Sequence, residues 1–226
     1  LESYSYAVAH DLRSPLRIIN GFAQALGEDN PALDDTSRNH LQRIMGASKK
    51  MGLLIDGLLQ LSQIGRGEVT CQPVNLSAIA TRLLEELTAE SPQRSVSWSV
   101  EPDLHASADP SLIDALLQNL LHNAWKYTAT TPQAHIRVFA READGQTHFC
   151  VSDNGAGFDM SRADKLFQPF QRLHQPHEFS GLGIGLATAQ RIVQRHGGVL
   201  QAEGAPGQGA TFCFTLPGEA SPDSLP

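Results

Sequence analysis

The sequence predicts a two-domain α+β protein, and three observations support this prediction. Residues 1–67 carry apolar side chains at three- and four-residue steps, which is typical of amphipathic helices. From residue 72 to 218, helical patterns are interleaved with short strand patterns of alternating polarity. Their order lacks regular strand–helix–strand alternation, which favours helices on one face of a mostly antiparallel sheet. Residues 219–226 are predicted to be a disordered tail.

The first domain is predicted to be an antiparallel helical hairpin, because a polar break at 27–37 separates two apolar stripes. The stripes are formed by Val8, Leu12, Leu16, Ile19, Phe22 and Leu26, and by Leu41, Ile44, Met51, Ile55, Leu58 and Leu61. Two helices that are each apolar on only one face are too few to enclose a hydrophobic core. Their near-heptad spacing therefore favours a homodimer built as a four-helix bundle. The alternative is that the hairpin packs against the rest of its own chain.

Composition excludes several classes of protein. The chain of 226 residues has a formal net charge of -7 and no dominant Lys/Arg cluster, so we expect neither nucleic acid nor a membrane as partner. Cys71, Cys150 and Cys213 lie far apart without CxxC spacing. This predicts no disulfide framework, no zinc site and a reducing, cytoplasmic location, although the full-length protein could be soluble or membrane-anchored. The chain begins without Met inside a periodic pattern, so we expect a further N-terminal portion.

The second domain is predicted to contain three helices and five strands. Asp109 and Pro110 are typical of a helix N-cap followed by proline at the first helical position. Asp144-Gly145 provides hairpin turn chemistry between two strands. The predicted helices cover 76–90, 110–126 and 182–196, and the predicted strands cover 95–100, 135–142, 147–153, 198–203 and 210–216.

Three segments of this domain carry chemistry: NLLHNAWKYT (119–128), DNGAGF (153–158) and GLGIGLA (181–187). Each glycine segment taken alone fits an ordinary turn. Glycines before a helix also expose backbone N–H groups at a helix N-terminus, where phosphates bind. Neither segment matches GxGxxG or GxxxxGK[ST], which argues against a Rossmann or Walker site.

One face of the predicted helix 110–126 is polar. Asn119, Asn123 and Lys126 follow each other at spacings of four and three, so they share a face. Amide oxygens and an ammonium group together suit a Mg²⁺–phosphate group. The alternative is an ordinary solvated stripe.

The combination of motifs resembles the sensor histidine kinases of two-component systems, whose catalytic domain is a GHKL (Bergerat) α/β sandwich. Besides the three segments above, the matching motifs are HDLRSPL (10–16), LFQPFQRLH (166–174) and GQGATFCFTLP (207–217). The segments QRLH and RHGG (195–198) are similar to those of the phytochrome-type branch of this family. The resemblance implies ATP-Mg²⁺-dependent autophosphorylation of a histidine and transfer to an aspartate of a response-regulator receiver domain. It also implies a sensor region N-terminal to these residues.

The resemblance assigns the phosphoacceptor role to His10, one of nine histidines. Asp11 is the acidic neighbour that would remove or hold the proton on the other ring nitrogen of His10. Ser14 takes the place of the usual Thr or Asn, which positions the water that dephosphorylates the partner aspartate. Pro15 cannot donate to the Asp11 carbonyl, so a kink and a hinge are predicted below His10.

The resemblance also implies a nucleotide site. Asp153 would accept from the adenine amino group with support from Thr211, Asn123 would supply an oxygen to Mg²⁺, and Arg172 would contact the γ-phosphate. Residues 160–181 would form a mobile lid. The nucleotide contacts are assigned to Asn119, Asn123, Lys126, Tyr127, Asp153, Gly155, Gly157, Arg172, Gly181, Gly183, Gly185 and Thr211.

Two other functions are compatible with parts of the pattern. A chaperone or topoisomerase ATPase of the same superfamily would share the glycine segments but lack HDLRSPL. A non-catalytic dimeric signalling scaffold would have lost Asn123, Asp153 or the glycines, all of which are present.

Overall fold

The computed structural model describes residues 2–64, 67–143, 145–171, 173, 179 and 181–217. The chain forms two compact units, Leu1–Arg66 and Gly67–Pro226. The tail predicted at 219–226 lies outside the described residues. No described helix is long and apolar enough to cross a bilayer.

The first unit is the predicted helical hairpin. Helix α1 spans Glu2–Asp29 and helix α2 spans Asp35–Ile64, so the connecting turn is shorter than the predicted break. The Asp34 carboxylate accepts a hydrogen bond from the Ser37 N–H at 2.7 Å, which satisfies a backbone donor at the start of α2 and lowers the pKa of Asp34. Helix α1 is continuous through Pro15. The hinge there stays a prediction.

The hairpin buries only part of its apolar residues. Leu16 of α1 packs with Ile55 and Leu59 of α2 in a small buried cluster. The buried Ser48 hydroxyl donates to the Leu16 carbonyl at 3.1 Å, which ties the two helices together. Many residues of the predicted stripes remain exposed in the single chain: Leu12, Ile19, Phe22, Leu26, Ile44 and Met51.

The second unit is a helix-covered mixed sheet. In chain order its elements are β1 (Gln72–Asn75), α3 (Leu76–Glu90), β2 (Val96–Val100), β3 (His105–Ala108), α4 (Pro110–Tyr127), β4 (Ala134–Ala143), β5 (Gln146–Asp153), a 3₁₀ helix (Met160–Lys165), α5 (Gly185–Arg195), β6 (Leu200–Gly204) and β7 (Ala210–Thr215). The main sheet has the order β2-β4-β5-β7-β6, in which only the β2–β4 pair is parallel. The three helices and five strands predicted for this domain are confirmed within a few residues. The antiparallel β1–β3 ribbon escaped prediction because its strands have only four residues each.

The core of this unit lies between the helices and the sheet. Helices α3, α4 and α5 turn their apolar faces inward, and these faces pack against strands with buried residues. Asp109 caps α4 and Pro110 occupies the first helical position, as predicted. The core therefore fixes α4, α5 and the end of β5 relative to one another.

The prediction of no disulfide is wrong. Cys150 of β5 and Cys213 of β7 are directly opposite in the antiparallel register, and the structure joins them with a Cα–Cα distance of 4.1 Å. Both are buried, and Cys71 is exposed with a free thiol. Sequence spacing did not reveal the pair because strand register brings together residues 63 positions apart. With this disulfide present, cysteine spacing no longer supports a reducing compartment.

Candidate functional site

The carboxylate of Asp153 lies at the end of β5 and is largely buried, with 8% of its surface exposed. It accepts a hydrogen bond from the Gly155 N–H at 2.9 Å. Burial raises the pKa of Asp153 to about 6, against the opposing effect of hydrogen bonds from the Gly155 and Ala210 backbone. A buried acceptor of this kind suits the exocyclic amino group of a base.

The structure does not place Thr211 beside Asp153. In the β5–β7 register Asp153 faces Ala210, while Ser152 faces Thr211. Successive side chains of a strand point to opposite faces, so Thr211 lies on the other face of the sheet from the carboxylate. Its hydroxyl is hydrogen-bonded to that of Ser152 at 2.8 Å. The prediction that Thr211 supports Asp153 is therefore wrong, because a shift of one residue along β7 moves the side chain to the other face of the sheet.

The loop after β5 packs against the end of α4. The Ala156 N–H donates to the Tyr127 carbonyl at 3.0 Å, and a Cβ at Gly155 would come within 2.4 Å of that oxygen. Gly157 has φ 60°, and a Cβ there would lie 1.9 Å from the Ala205 carbonyl oxygen. Only glycine fits this close backbone approach.

The polar face of α4 is assembled as predicted from Asn119, Asn123 and Lys126, all half-buried. The Lys126 ammonium donates to the Asn123 amide oxygen at 3.2 Å and lies 4.1 Å from the centre of the Tyr127 ring. The Tyr127 ring in turn meets Phe179 edge-on at 5.0 Å. An oxygen ligand and a cation therefore lie side by side at the end of α4.

The start of α5 adjoins this polar face. A Cβ at Gly185 would lie 2.8 Å from the Asn119 amide oxygen, and one at Gly181 would lie 3.5 Å from the Lys126 ammonium. The N-cap residue Ile184 gives α5 no side-chain cap. The backbone N–H groups of the first turn therefore point to a place where an anion is stabilised.

Part of the predicted lid lies outside the described residues, including Arg172, residues 174–178 and residue 180. The described part contacts the second glycine segment. The Phe170 N–H donates to the Gly183 carbonyl at 2.8 Å, and a Cβ at Gly183 would lie 2.4 Å from the Gln171 carbonyl oxygen. The phenylalanine segment and the glycine segment are thus packed backbone to backbone.

The donor set fits Mg²⁺ held together with a nucleotide. Among the described residues, no group of three or more His, Cys, Asp or Glu side chains could hold a metal ion. Mg²⁺ is commonly bound through few protein oxygens together with substrate phosphates and waters. The Asn123 amide oxygen, next to the start of α5, is suited to that arrangement.

The residues predicted for phosphoryl acceptance lie on α1. The described backbone places His10 within this helix, and its side chain is outside the described set. Asp11 and Ser14 are exposed, with Ser14 one turn after His10. Arg13 forms an ion pair with Asp56 of α2 at 2.5 Å, so its charge is directed across the hairpin.

Comparison with known families accounts for both units. The family described as "Histidine kinase-, DNA gyrase B-, and HSP90-like ATPase" matches residues 108–220, half of the chain. The chain belongs to this ATPase family. The family described as "His Kinase A (phospho-acceptor) domain" matches residues 4–67, the hairpin with His10. The two matches together make the chain a sensor histidine kinase core.

Two curated relatives of this kinase core match almost the whole chain. The methanogenesis regulatory histidine kinase FilI of Methanothrix harundinacea is 36% identical over 96% of this chain and 24% of its own length. Cyanobacterial phytochrome B of Nostoc sp. is 32% identical over 96% of this chain and 29% of its own. The chain thus spans less than a third of either relative. Since FilI is no more distant than the phytochrome, the phytochrome-type branch stays a prediction.

The fold of the kinase core matches a solved structure, full-length ShkA in complex with AMPPNP. The TM-score is 0.67 at 24% identity, covering 96% of this chain and 46% of ShkA. This likeness confirms the predicted α+β fold.

Arg94, which no sequence motif singled out, positions the end of α4. Arg94 donates to the Trp125 carbonyl at 2.7 Å and to the Thr128 hydroxyl at 3.2 Å, with its guanidinium 4.8 Å from the Trp125 ring centre. It therefore holds the end of the helix that carries Lys126 and Tyr127. No motif surrounds Arg94, and the contact spans 31 residues, so no local signal could have revealed it.

Proposed function

We propose that this chain is an ATP- and Mg²⁺-dependent protein histidine kinase that autophosphorylates His10. The phosphoryl group then passes to an aspartate of a response-regulator receiver domain. The observation that carries the proposal is the presence, in one chain, of a phosphoacceptor hairpin and an ATPase-family domain with its polar site residues close together.

ATP binds at the end of β5, between the loop after β5, α4 and the start of α5. The ionised Asp153 accepts a hydrogen bond from the adenine amino group, and Gly155 and Gly157 let the loop backbone come close to the base. The backbone amides at Gly181, Gly183 and Gly185 face the phosphates. Arg172 contacts the γ-phosphate. Support comes from the buried carboxylate, from the uncapped start of α5 and, by fold, from the AMPPNP complex of ShkA.

The polar face of α4 serves the phosphate chain. Asn123 would hold Mg²⁺ with Asn119 beside it, and the bound ion would supply positive charge next to the phosphates. Lys126 neutralises phosphate charge, and Tyr127 contacts the nucleotide. In the structure Lys126 donates to Asn123, so binding requires the ammonium group to turn from the amide oxygen towards a phosphate.

Phosphoryl transfer depends on positioning more than on covalent chemistry by the protein. An imidazole nitrogen of His10 attacks the γ-phosphorus, a nitrogen–phosphorus bond forms, and the bond to the departing ADP oxygen breaks. Asp11 stabilises the proton on the other ring nitrogen. Ser14, one turn further, offers a hydroxyl to the water that hydrolyses the aspartyl phosphate of the response regulator, which gives the chain a phosphatase activity.

The hairpin acts as a homodimer and as the docking surface of the receiver domain. Dimerisation is supported by the apolar side chains of the stripes that remain exposed in the single chain. Phe22, for example, keeps 73% of its surface exposed. A second copy would cover this stripe in a four-helix bundle.

The test is labelling with γ-³²P-ATP. The wild-type chain should acquire a label that is lost in acid and kept in alkali, and His10→Ala should acquire none. His40→Ala is the matched control, since His40 is likewise a histidine within a helix of the hairpin and its own side chain is exposed. It should label like the wild type. A label that survives His10→Ala would refute the assignment of His10.

A further inference from the structure

His196 connects the end of α5 to the start of α4. It follows directly after α5, and its ring nitrogens contact two backbone groups. Nδ1 lies 2.9 Å from the Ile192 carbonyl oxygen of its own helix. Nε2 lies 3.0 Å from the backbone nitrogen of Asp109, 87 residues away. The imidazole is half-buried between the two helix ends.

These contacts favour one tautomer of the ring. A backbone N–H can only donate, so Nε2 has to accept the hydrogen bond from Asp109 and carries no proton. A carbonyl can only accept, so Nδ1 carries the proton and donates it to Ile192. The two hydrogen bonds of His196 therefore match the tautomer that carries its proton on Nδ1.

Asp109 is the residue at which α4 begins. Its carboxylate accepts from the Ser111 N–H at 3.0 Å and from the Leu112 N–H at 3.1 Å. Its carbonyl accepts from Ile113 at 2.9 Å. The first turn of α4 is thus built around Asp109, and the Asp109 N–H is bonded to His196.

Helices α4 and α5 meet at two places that lie far apart along α5. At its start, Gly185 adjoins the amide of Asn119 in the middle of α4. At its end, His196 is bonded to Asp109 at the beginning of α4. The two helices therefore run antiparallel, and sliding one along the other by one residue would move the contacts by about 1.5 Å. Displacements of this size matter for the placement of charged ligands.

We propose that His196 is a positioning residue for nucleotide binding. By holding the start of α4 to the end of α5, it sets the register between Asn119 and Asn123 on one helix and the phosphate-facing amides on the other. This inference rests on the proposed function, which places the nucleotide phosphates between these two helices. The nucleotide does not touch His196, so the effect reaches the site through α4.

Two substitutions in the 226-residue chain separate the two hydrogen bonds of the ring. His196→Gln keeps an acceptor oxygen that reaches about as far as Nε2. His196→Asn keeps a donor to the Ile192 carbonyl but is too short to accept from Asp109. We expect the Gln variant to bind Mg²⁺-ADP within about twofold of the wild type and the Asn variant to bind about tenfold more weakly by calorimetry. In labelling assays, KM for ATP should rise in the Asn variant while the rate at saturating ATP is kept.

A destabilised but correctly registered domain serves as control. Phe214→Leu removes volume from the core at the end of β7 remote from Ala210, and it should lower the melting temperature without changing the affinity for ADP. Equal ADP affinities of the Gln and Asn variants, whether both normal or both weakened, would overturn the proposal. Absence of ADP binding by the wild-type chain would overturn the proposed function as well.

The tautomer gives a test that needs no variant. Nitrogen-15 NMR of the histidine rings in the wild-type chain should find the ring proton of His196 on Nδ1. A neutral ring protonated on Nε2 would contradict the hydrogen bond from Asp109 and with it the proposal.

Discussion

The helical hairpin and the ATPase domain differ in how completely each buries its apolar residues. Among the described side chains, the large exposed apolar residues lie mainly in the hairpin: Leu12, Ile18, Ile19, Phe22, Leu26, Ile44, Met51 and Leu53, against Met160, Phe170 and Val199 in the domain. The domain encloses a core between three helices and a sheet. The hairpin leaves part of its apolar stripes exposed, and in the proposed homodimer a second copy would cover them.

The two regions also build their sites differently. The residues proposed for phosphoryl acceptance lie close together on one helix: Asp11 follows His10 directly, and Ser14 lies one turn after His10. Local helical geometry therefore suffices to arrange them. The proposed nucleotide site combines the end of β5, α4 and the start of α5, so it depends on sheet register and helix packing. We therefore expect substitutions that shift α4, α5 or the loop after β5 to weaken nucleotide binding, and substitutions in the exposed apolar stripe of the hairpin to affect assembly.

The largest loss of stability is expected at Gly157, in the loop after β5, where the backbone leaves no room for a side chain. Gly157→Ala places a Cβ 1.9 Å from the Ala205 carbonyl oxygen at a φ of 60°. The domain should lose about 3 kcal/mol or more of its free energy of unfolding. Gly145→Ala is the matched control, because its φ is 72° with no atom within 4 Å, and it should cost about 1 kcal/mol. Urea denaturation measures both, and equal losses would refute the close approach.

The next effect concerns the hairpin. Phe22→Glu places a charge in the exposed apolar stripe, so the dimer should dissociate at micromolar concentrations, which sedimentation velocity would detect. Gln24→Glu adds the same charge at an exposed position about 200° away around α1 and should remain dimeric. If Phe22→Glu sedimented as the same dimer, the apolar stripe would not be the contact between subunits.

The smallest effect is a pH dependence of nucleotide binding. Burial raises the pKa of Asp153 to about 6, and its carboxyl group is the stronger acceptor for the adenine amino group when it is ionised. ADP affinity should therefore fall as pH drops through 6, by about tenfold one pH unit below the pKa. Asp153→Asn should remove this dependence. Asp159→Asn should preserve it, because hydrogen bonds from Ser161 lower the pKa of the exposed Asp159 and keep it ionised in this range.

The stability of the domain should show the opposite trend. The pKa of Asp153 in the folded domain lies above its value of 3.8 in the unfolded chain, so the folded state holds the proton more tightly. Its contribution to the free energy of unfolding is then largest below about pH 4 and is lost as pH rises to about 6. Urea denaturation of Asp153→Asn at several pH values should show that this pH-dependent part of the free energy of unfolding is lost. If the pH dependence of stability were unchanged in the variant, the raised pKa would not belong to Asp153.

Local sequence patterns predicted the helices and the five main strands. The contacts that they did not predict depend on pairing between residues distant in sequence. Asp109 and Pro110 predicted the start of α4. The spacing of Asn119, Asn123 and Lys126 predicted its polar face. The Cys150–Cys213 disulfide and the position of Thr211 follow from the β5–β7 register, which no local pattern encodes. The contact of His196 with Asp109 depends on packing between two helices distant in sequence.

The central claim is that one region binds the nucleotide and the other accepts the phosphoryl group. The most direct test measures ADP affinity and γ-³²P labelling in both His10→Ala and Asp153→Ala. His10→Ala should bind ADP like the wild type and acquire no label. Asp153→Ala should bind ADP at least about 30-fold more weakly and lose labelling at ATP concentrations that saturate the wild type. Weakened ADP binding by His10→Ala, or labelling of Asp153→Ala at the wild-type rate, would contradict this division.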